Sequence, residues 1–254
     1  MKYLRVFLLS IIILPFISFA QKDELLIGLS VGVNNPIGDF ASNEWSINED
    51  NTLETQGEFA KLGTAFDLSA NYRIGYYFGF SARILGGTNK IDTKEYSNAL
   101  NTVIADYDYQ LTIASKGWGN MGILAGAYVV IPINDLYIDW RFMAGYANLF
   151  SPSMRYYVND LEGNPAYADP FVTEKYNAGG FAYDLGMGLK YKFASNKFLL
   201  VNGDYIGSSI QKNNISTLSP KIQNDGSIIM EEDIVDLNVD YKSLTFTIGL
   251  GYIF

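Results

Sequence analysis

Eight charged residues recur on the polar phase of segments that alternate apolar and polar positions: Asp67, Arg83, Asp139, Arg141, Asp184, Lys190, Lys192 and Asp204. Carboxylates held close together can share a proton and act as acid and base, as in glycoside hydrolysis. Here cations are interleaved with them, so Asp67 and Asp139 read as partners of Arg83, Arg141 and Lys190 in a structural ion-pair network. No catalytic, cofactor-binding or metal-binding residue is assigned. The chain has no histidine, which removes the base that serine and cysteine nucleophile mechanisms rely on. It also has no cysteine, which rules out a disulfide framework and a thiolate metal site. The acidic runs Glu231-Glu232-Asp233 with Asp236, and Glu49-Asp50, offer oxygen ligands to a divalent cation. They lack a fixed ligand spacing and read as solvated loop charge.

The polar phase has meaning only on the elements that carry it, and those begin after an export leader. Lys2 and Arg5 precede an apolar run from Val6 to Ile17, and Ser18-Phe19-Ala20 ends it with small residues around one position. The apolar core is shorter than the roughly 20 residues of a spanning helix, so residues 1–20 are expected to be a cleaved signal peptide and 21–254 one domain. No cysteine follows to take a lipid anchor. Loss of Lys2 and Arg5 leaves 16 basic and 27 acidic residues, a net charge of −11 that argues against nucleic acid and anionic membrane surfaces as partners. No later stretch is apolar enough for a spanning helix, so membrane insertion would have to be by strands.

Alternation with period two runs through most of the chain, which predicts strands and not helices. From Phe181 to Phe193 one face reads Phe181, Tyr183, Leu185, Met187, Leu189, Tyr191 and Phe193, and the other carries Ala182, Asp184, Gly186, Gly188, Lys190 and Lys192. The terminal segment repeats this, with Leu244, Phe246, Ile248, Leu250, Tyr252 and Phe254 on one face. Further strands are expected over Leu25 to Val33, Leu62 to Ile74, Tyr77 to Leu85, Gly119 to Ile131, Leu136 to Asn148 and Leu199 to Ser208, making eight. The alternation of the fourth is weak enough to leave its face open. Each is close to the roughly 9 to 11 residues that a tilted strand needs to cross a bilayer.

The two faces differ in kind. A soluble barrel buries its apolar face and shows charge outside, whereas here the polar face is rich in Gly, Ser and Ala, which suits a cramped lumen. Tyr72, Phe78, Tyr191, Phe193, Tyr252 and Phe254 cluster at the strand ends next to short turns, as an interfacial girdle does. Turns near Gly75, Asn134-Asp135 and Ser195-Asn196 alternate with long segments at 35–60, 90–117, 150–177 and 211–241, and these four hold twenty acidic and seven basic residues. Tyr107, Tyr109, Leu111 and Ile113 alternate within them, as do Ile234 to Val239, so the fourth and eighth strands are expected to project beyond the bilayer. The fold class is therefore all-β: a closed, antiparallel, eight-stranded transmembrane up-and-down β-barrel with short periplasmic turns and long extracellular loops.

The leader ending Ser18-Phe19-Ala20, the exit Gly32-Val-Asn-Asn-Pro-Ile-Gly-Asp-Phe40 and the aromatic-terminated Leu244 to Phe254 resemble the eight-stranded outer-membrane barrel family of the OmpA/OmpX type, and more closely its stand-alone barrel, or porin-family, members. The resemblance covers the chain from residue 21 onward and implies outer-membrane lipid as its surroundings. It also implies recognition of Tyr252 and Phe254 by the barrel-assembly machinery. Since the sequence stops at Phe254, a following peptidoglycan-binding domain is not expected. An eight-stranded lumen is filled by side chains, which disfavours a diffusion pore. The expected function is non-enzymatic, with no cofactor: a structural or surface-interaction role in which acidic extracellular loops meet a protein or glycan through aromatics such as Trp45, Tyr156, Tyr157 and Tyr167. A small gated channel, a secretion-system accessory barrel and a soluble lipocalin-like carrier are the alternatives.

Overall fold

The computed structural model describes residues 24–47, 53–55, 57–105, 108–222 and 228–254. The expected leader, Glu49-Asp50 and Tyr107 lie outside the described residues. In chain order the elements are β1 (Glu24–Pro36), β2 (Trp45–Ile47), β3 (Leu53–Thr55), β4 (Ala60–Arg73), β5 (Phe78–Ile91), α1 (Thr93–Val103) and β6 (Tyr109–Ser115). They continue with β7 (Trp118–Ile133), β8 (Leu136–Phe150), β9 (Met154–Asp160), β10 (Phe171–Val172), β11 (Asn177–Ala194), β12 (Lys197–Ile222) and β13 (Ile228–Ile253).

Eight of these strands close on themselves in the order β1-β13-β12-β11-β8-β7-β5-β4. The first and last pair antiparallel from Leu26 opposite Ile253 to Pro36 opposite Ser243. Closure leaves no unpaired edge within the ring, the condition that a strand protein must meet in hydrocarbon. Outward positions are apolar and exposed on every wall, among them Leu29, Phe66, Phe80, Ile123, Phe142, Leu185, Val201 and Leu250. Asp67, Arg83, Asp139, Arg141, Asp184 and Asp204 are buried inside. A lipocalin-like carrier needs the opposite arrangement, so that alternative is overturned. On β7, whose face the sequence left open, Leu124, Tyr128 and Val130 point inward and Met121, Ile123 and Ile131 outward.

The three expected turns are present. The Ile74 N–H donates to Phe78 O at 3.0 Å, and Asn134 takes φ 55°, a left-handed conformation that asparagine tolerates in a two-residue hairpin. Ser195-Asn196 joins β11 to β12. Beside these turns Tyr72, Tyr76, Tyr77, Phe78, Tyr191, Phe193, Tyr252 and Phe254 are exposed, forming the girdle, and Tyr146, Phe150 and Phe181 are exposed nearer the opposite end.

Three expectations need correction at the loop end. Segment 211–241 is not a loop: β12 and β13 run on as a paired ribbon from Ser209 opposite Asp240 to Ile222 opposite Ile228. The eighth strand projects as expected, and the seventh projects with it. The alternating run after Tyr107 is β6, which leaves the barrel and forms a three-stranded sheet in the order β10-β9-β6. The third correction is α1, which the reading by strands passed over. Asp92 caps it by accepting the Glu95 N–H at 3.3 Å, the start of a D-x-x-E capping pattern, and Ala99 and Leu100 are its buried residues, with Tyr96 half-buried and Ile104 buried just after its end.

The outward face of β11 yields a direct test. Leu185→Arg places a cation against lipid and should lower unfolding stability in vesicles by about 2 to 4 kcal/mol if it lies near the midplane. Leu185→Ala should cost less, and urea titration of the folded, faster-migrating band on unboiled gels distinguishes the two.

Candidate functional site: the charged lumen and the loop-end cap

Inside the barrel the sequence-assigned charges meet around two guanidinium groups. Arg83 on β5 donates from Nε to Asp67 at 3.0 Å, from Nη1 to Asp184 at 2.5 Å and from both Nη1 and Nη2 to Asp204, at 2.8 and 3.0 Å. Arg141 on β8 donates to Asp139 at 2.7 Å, Asp204 at 2.8 Å, Asn202 at 3.0 Å and the Met187 carbonyl at 3.2 Å. Lys190 completes the group, 3.2 Å from Asp139 and 5.0 Å above the Tyr128 ring. Asp67 and Asp139 thus serve different cations, and Asp204 joins the two halves.

The register explains how residues on separated strands touch. Gly186 on β11 lies opposite Arg141 on one side and Asp204 on the other. Gly188, two residues on, lies between Asp139 and Asn202. A Cβ at Gly186 would stand 2.1 Å from Asp204 Oδ1, and one at Gly188 2.6 Å from Asp139 Oδ2. Both glycines vacate lumen space that the ion pairs cross. That is the physical reason for the small residues on the polar phase.

Lys192 departs from expectation. It shares the inward phase but lies only half-buried at the turn end, below the network, and its backbone N–H donates to Asp135 O at 2.8 Å. Tyr156, expected to be exposed, is also corrected, since it is buried under α1 and only Tyr157 is open. Asn202, two residues before Asp204 on the same polar phase, has an amide that gives no sequence sign of an ion-network role. Asn34, Asn89, Tyr241 and Ser243 were missed. Asn34 donates to Asn89 at 2.8 Å and to the Tyr241 hydroxyl at 3.1 Å, and Ser243 donates to the same hydroxyl at 3.1 Å.

The lumen is layered. Toward the turns Leu26, Phe198 and Leu200 form an apolar floor with Tyr137 and Ile253. Above the ion pairs lies a larger apolar layer that includes Leu124, Met143, Leu149, Ile206, Ile210, Trp118 and Tyr241. Phe40 closes it: the 3-10 turn Gly38–Phe40 lies against β13, and the fully buried Phe40 ring packs 4.9 Å from Tyr241 and 5.8 Å from Trp118. Two cavities among the described residues measure about 10 Å³, beside Asn34, Asp67 and Arg83, and about 30 Å³, beside Glu24, Arg73 and Lys190. Such volumes hold a water or two, far below the size of a small-molecule site.

At the loop end a second core forms outside the ring. Leu100 of α1 and Ile104 just after it pack on Leu111, Ile113, Tyr156 and Val158 of β6 and β9, with Tyr96, Tyr109 and Phe171 around them. This cap joins the barrel at residues 57–60. Phe59 has φ 52°, an uncommon conformation for a bulky residue, and is held there from several sides. Its N–H donates to Ser42 O, its carbonyl accepts the Asp92 N–H at 2.8 Å, and its ring lies 5.0 Å from Tyr96. Beside it the Trp118 indole N–H donates to the Glu58 carbonyl at 3.3 Å. Burial pushes the Glu58 carboxyl up to about 7. Burial alone would also raise Asp92, but the Lys61 ion pair and the first amides of α1 outweigh it and hold that carboxyl below its usual range. Among the described residues, no group of three or more acidic side chains is placed to hold a metal ion.

The family to which the chain belongs agrees with this architecture. The family described as outer membrane protein beta-barrel domain matches residues 6–254. The chain belongs to that family and resides in the outer membrane. Solved structures similar to it include Ail, the attachment invasion locus protein of Yersinia pestis, at 14% identity and TM-score 0.40, with 91% of this chain and 97% of that chain covered. OprG from Pseudomonas aeruginosa is 10% identical at TM-score 0.48, with 92% and 97% covered. The outer membrane protease OmpT from Escherichia coli is 11% identical at TM-score 0.36, with 94% and 99% covered. A search of curated proteins finds no match.

Two outcomes follow from this geometry. Arg83→Met strands Asp67 and Asp184 around an uncharged side chain, leaves Asp204 to Arg141 alone, and should cost about 3 to 5 kcal/mol in chemical unfolding, while Lys192→Met should stay within about 0.5 kcal/mol. The raised Glu58 carboxyl stabilises the folded cap less as pH climbs from its ordinary value of 4.5 through about 7, because the unfolded chain ionises first. Amide exchange across α1 should therefore accelerate from pH 5 to pH 8 beyond the intrinsic rate, and Glu58→Gln should flatten that difference.

Proposed function

We propose that the protein is a non-enzymatic surface scaffold, its barrel a membrane anchor and its loop end the working part, where it contacts protein or glycan outside the cell. The observation that carries this reading is the contrast between the two ends of the structure. The lumen is closed by an apolar layer on each side of its ion pairs, whereas the loop end builds a cap with its own core and a ribbon that stands clear of the ring. With turns on the periplasmic side, as family topology places them, the acidic segments lie outside the cell. These carboxylates are buried and held in ion pairs between apolar layers, which favours a structural role for Asp67, Asp139, Asp184 and Asp204 over acid-base work.

The leader over residues 1–20 and capture of the Tyr252 and Phe254 terminus by the assembly machinery belong to the same proposal. The rings of Tyr252 and Phe254 stack edge-on, with centroids 4.8 Å apart on the exposed wall.

The scaffold reading predicts that replacing residues 93–116 and 153–175 with short linkers leaves a heat-modifiable barrel in the membrane and abolishes whole-cell adhesion to protein- or glycan-coated surfaces. Adhesion undiminished by that change would refute it. Planar-bilayer recordings of the intact protein should show no conductance steps, and regular steps would favour the small channel.

A further inference from the structure

The buried charges of the lumen do not balance. Among the described residues Asp67, Asp139, Asp184 and Asp204 are buried with Arg83, Arg141 and Lys190, four carboxylates to three cations. Arg83 serves Asp67, Asp184 and Asp204, Arg141 serves Asp139 and Asp204, and Lys190 serves Asp139. Lys192 is only half-buried at the turn end, and Arg73 there is paired with Glu24, so neither supplies the missing charge. A buried charge without a counter-charge is costly, so one negative charge of the network calls for a positive partner.

The cavity of about 10 Å³ lies beside that network, and three of the side chains lining it have bonding capacity to spare. Asn34 is 1% exposed, and the direction of its amide is fixed. Its nitrogen donates to Asn89 and to the Tyr241 hydroxyl, while Asn89 spends its own nitrogen on the Asn34 and Lys61 carbonyls. The Asn34 side-chain oxygen is therefore left with no donor among the described residues. Asp67 gives only Oδ1 to Arg83, which leaves its second oxygen available. The Asn120 amide makes no hydrogen bond among the described residues and can present either its oxygen or its nitrogen. Thr245 and Thr247 also line the space.

The geometry points to this cavity as a binding site for one small monovalent metal cation of the sodium class, held by the side-chain oxygens of Asn34, Asp67 and Asn120. Hard cations take oxygen ligands, and a space the size of one water admits a bare ion and nothing larger. A divalent ion would overshoot the single missing charge, and among the described residues no group of three acidic side chains is placed to hold one. A water would satisfy the Asn34 oxygen and leave the charge. A proton on one carboxyl would cancel the charge and leave that oxygen. A cation answers both. Arg83 borders the cavity as well, but its charge is shared among three carboxylates. Because apolar layers close the lumen on both sides, the ion is taken up as the barrel forms. This site lies apart from the surface-contact reading and does not depend on it.

The test refolds the full chain into nanodiscs of zwitterionic lipid at neutral pH and constant ionic strength, in sodium chloride or in N-methylglucamine chloride. The urea midpoint is read from loss of the fast-migrating band on unboiled gels. Sodium should raise the midpoint saturably, since it binds the folded state alone, and N-methylglucamine, too large for the cavity, should not. Asp67→Asn keeps an acceptor for Arg83 and brings the lumen into charge balance, whereas Asn120→Leu removes an oxygen from the lining and changes no charge. Both should keep the heat-modifiable band and raise the sodium concentration for half-maximal shift by roughly tenfold or more, as even outer-shell partners of a metal contribute that much. Crystals grown in sodium should show a centre in the cavity with oxygen neighbours well inside the about 2.8 Å that a water keeps. Equal midpoints in the two salts, a sodium shift that survives both substitutions, or water-like distances in the cavity would each overturn the site. So would a midpoint indifferent to sodium that rises as the pH is lowered, since a proton then carries the missing charge.

Discussion

A barrel surrounded by lipid has nowhere to put a charge except its own lumen, and this one concentrates its lumen charge around Asp204. That carboxylate accepts from Arg83 and Arg141 together, tying β12 to β5 and β8 across the interior. Its reach depends on Gly186, the residue between Arg141 and Asp204 in the ladder, having no side chain. A one-residue slip of β11 would turn Asp184 and Lys190 to the lipid and fill the crossing space with Leu185 or Met187. The network and the register therefore specify each other, and the outward apolar face follows because period two leaves it no other choice.

The layers above and below have a different logic. Ion pairs out of contact with bulk water gain from the low dielectric around them, provided that each charge keeps a partner. The floor at Leu26, Phe198 and Leu200 and the ceiling at Trp118, Leu149 and Phe40 maintain that condition. Phe40 comes from outside the ring, so the first loop contributes to sealing the lumen and to holding the cap. The strained Phe59 joins the same seam from the other side, where its backbone is held by Ser42 and Asp92. Barrel, ceiling and cap are thus mechanically continuous at residues 40, 59 and 118.

Much of this was open to reading from the chain alone. Eight alternating segments, three tight turns, an aromatic girdle and the inward set Asp67, Arg83, Asp139, Arg141, Asp184, Lys190 and Asp204 follow from period two and the nature of each face. The phase of a strand decides inside or outside before any partner is known. Lys192 shows the limit: phase places it inward, but depth along the barrel, which depends on strand tilt and stagger, leaves it at the rim. Tyr156 shows the same limit outside the ring, since a tyrosine in a loop has no visible burial until α1 is seen to cover it.

What the sequence by itself determined is the wall: closed, antiparallel, apolar outward and charged inward, because backbone pairing in lipid permits little else. Only the tertiary structure decided which cation serves which carboxylate, that apolar layers close the lumen at both ends, that β6 leaves the barrel for the cap, and that β12 and β13 continue as a ribbon. Each of these depends on contacts between residues far apart in the chain, for which local period and composition carry no signal.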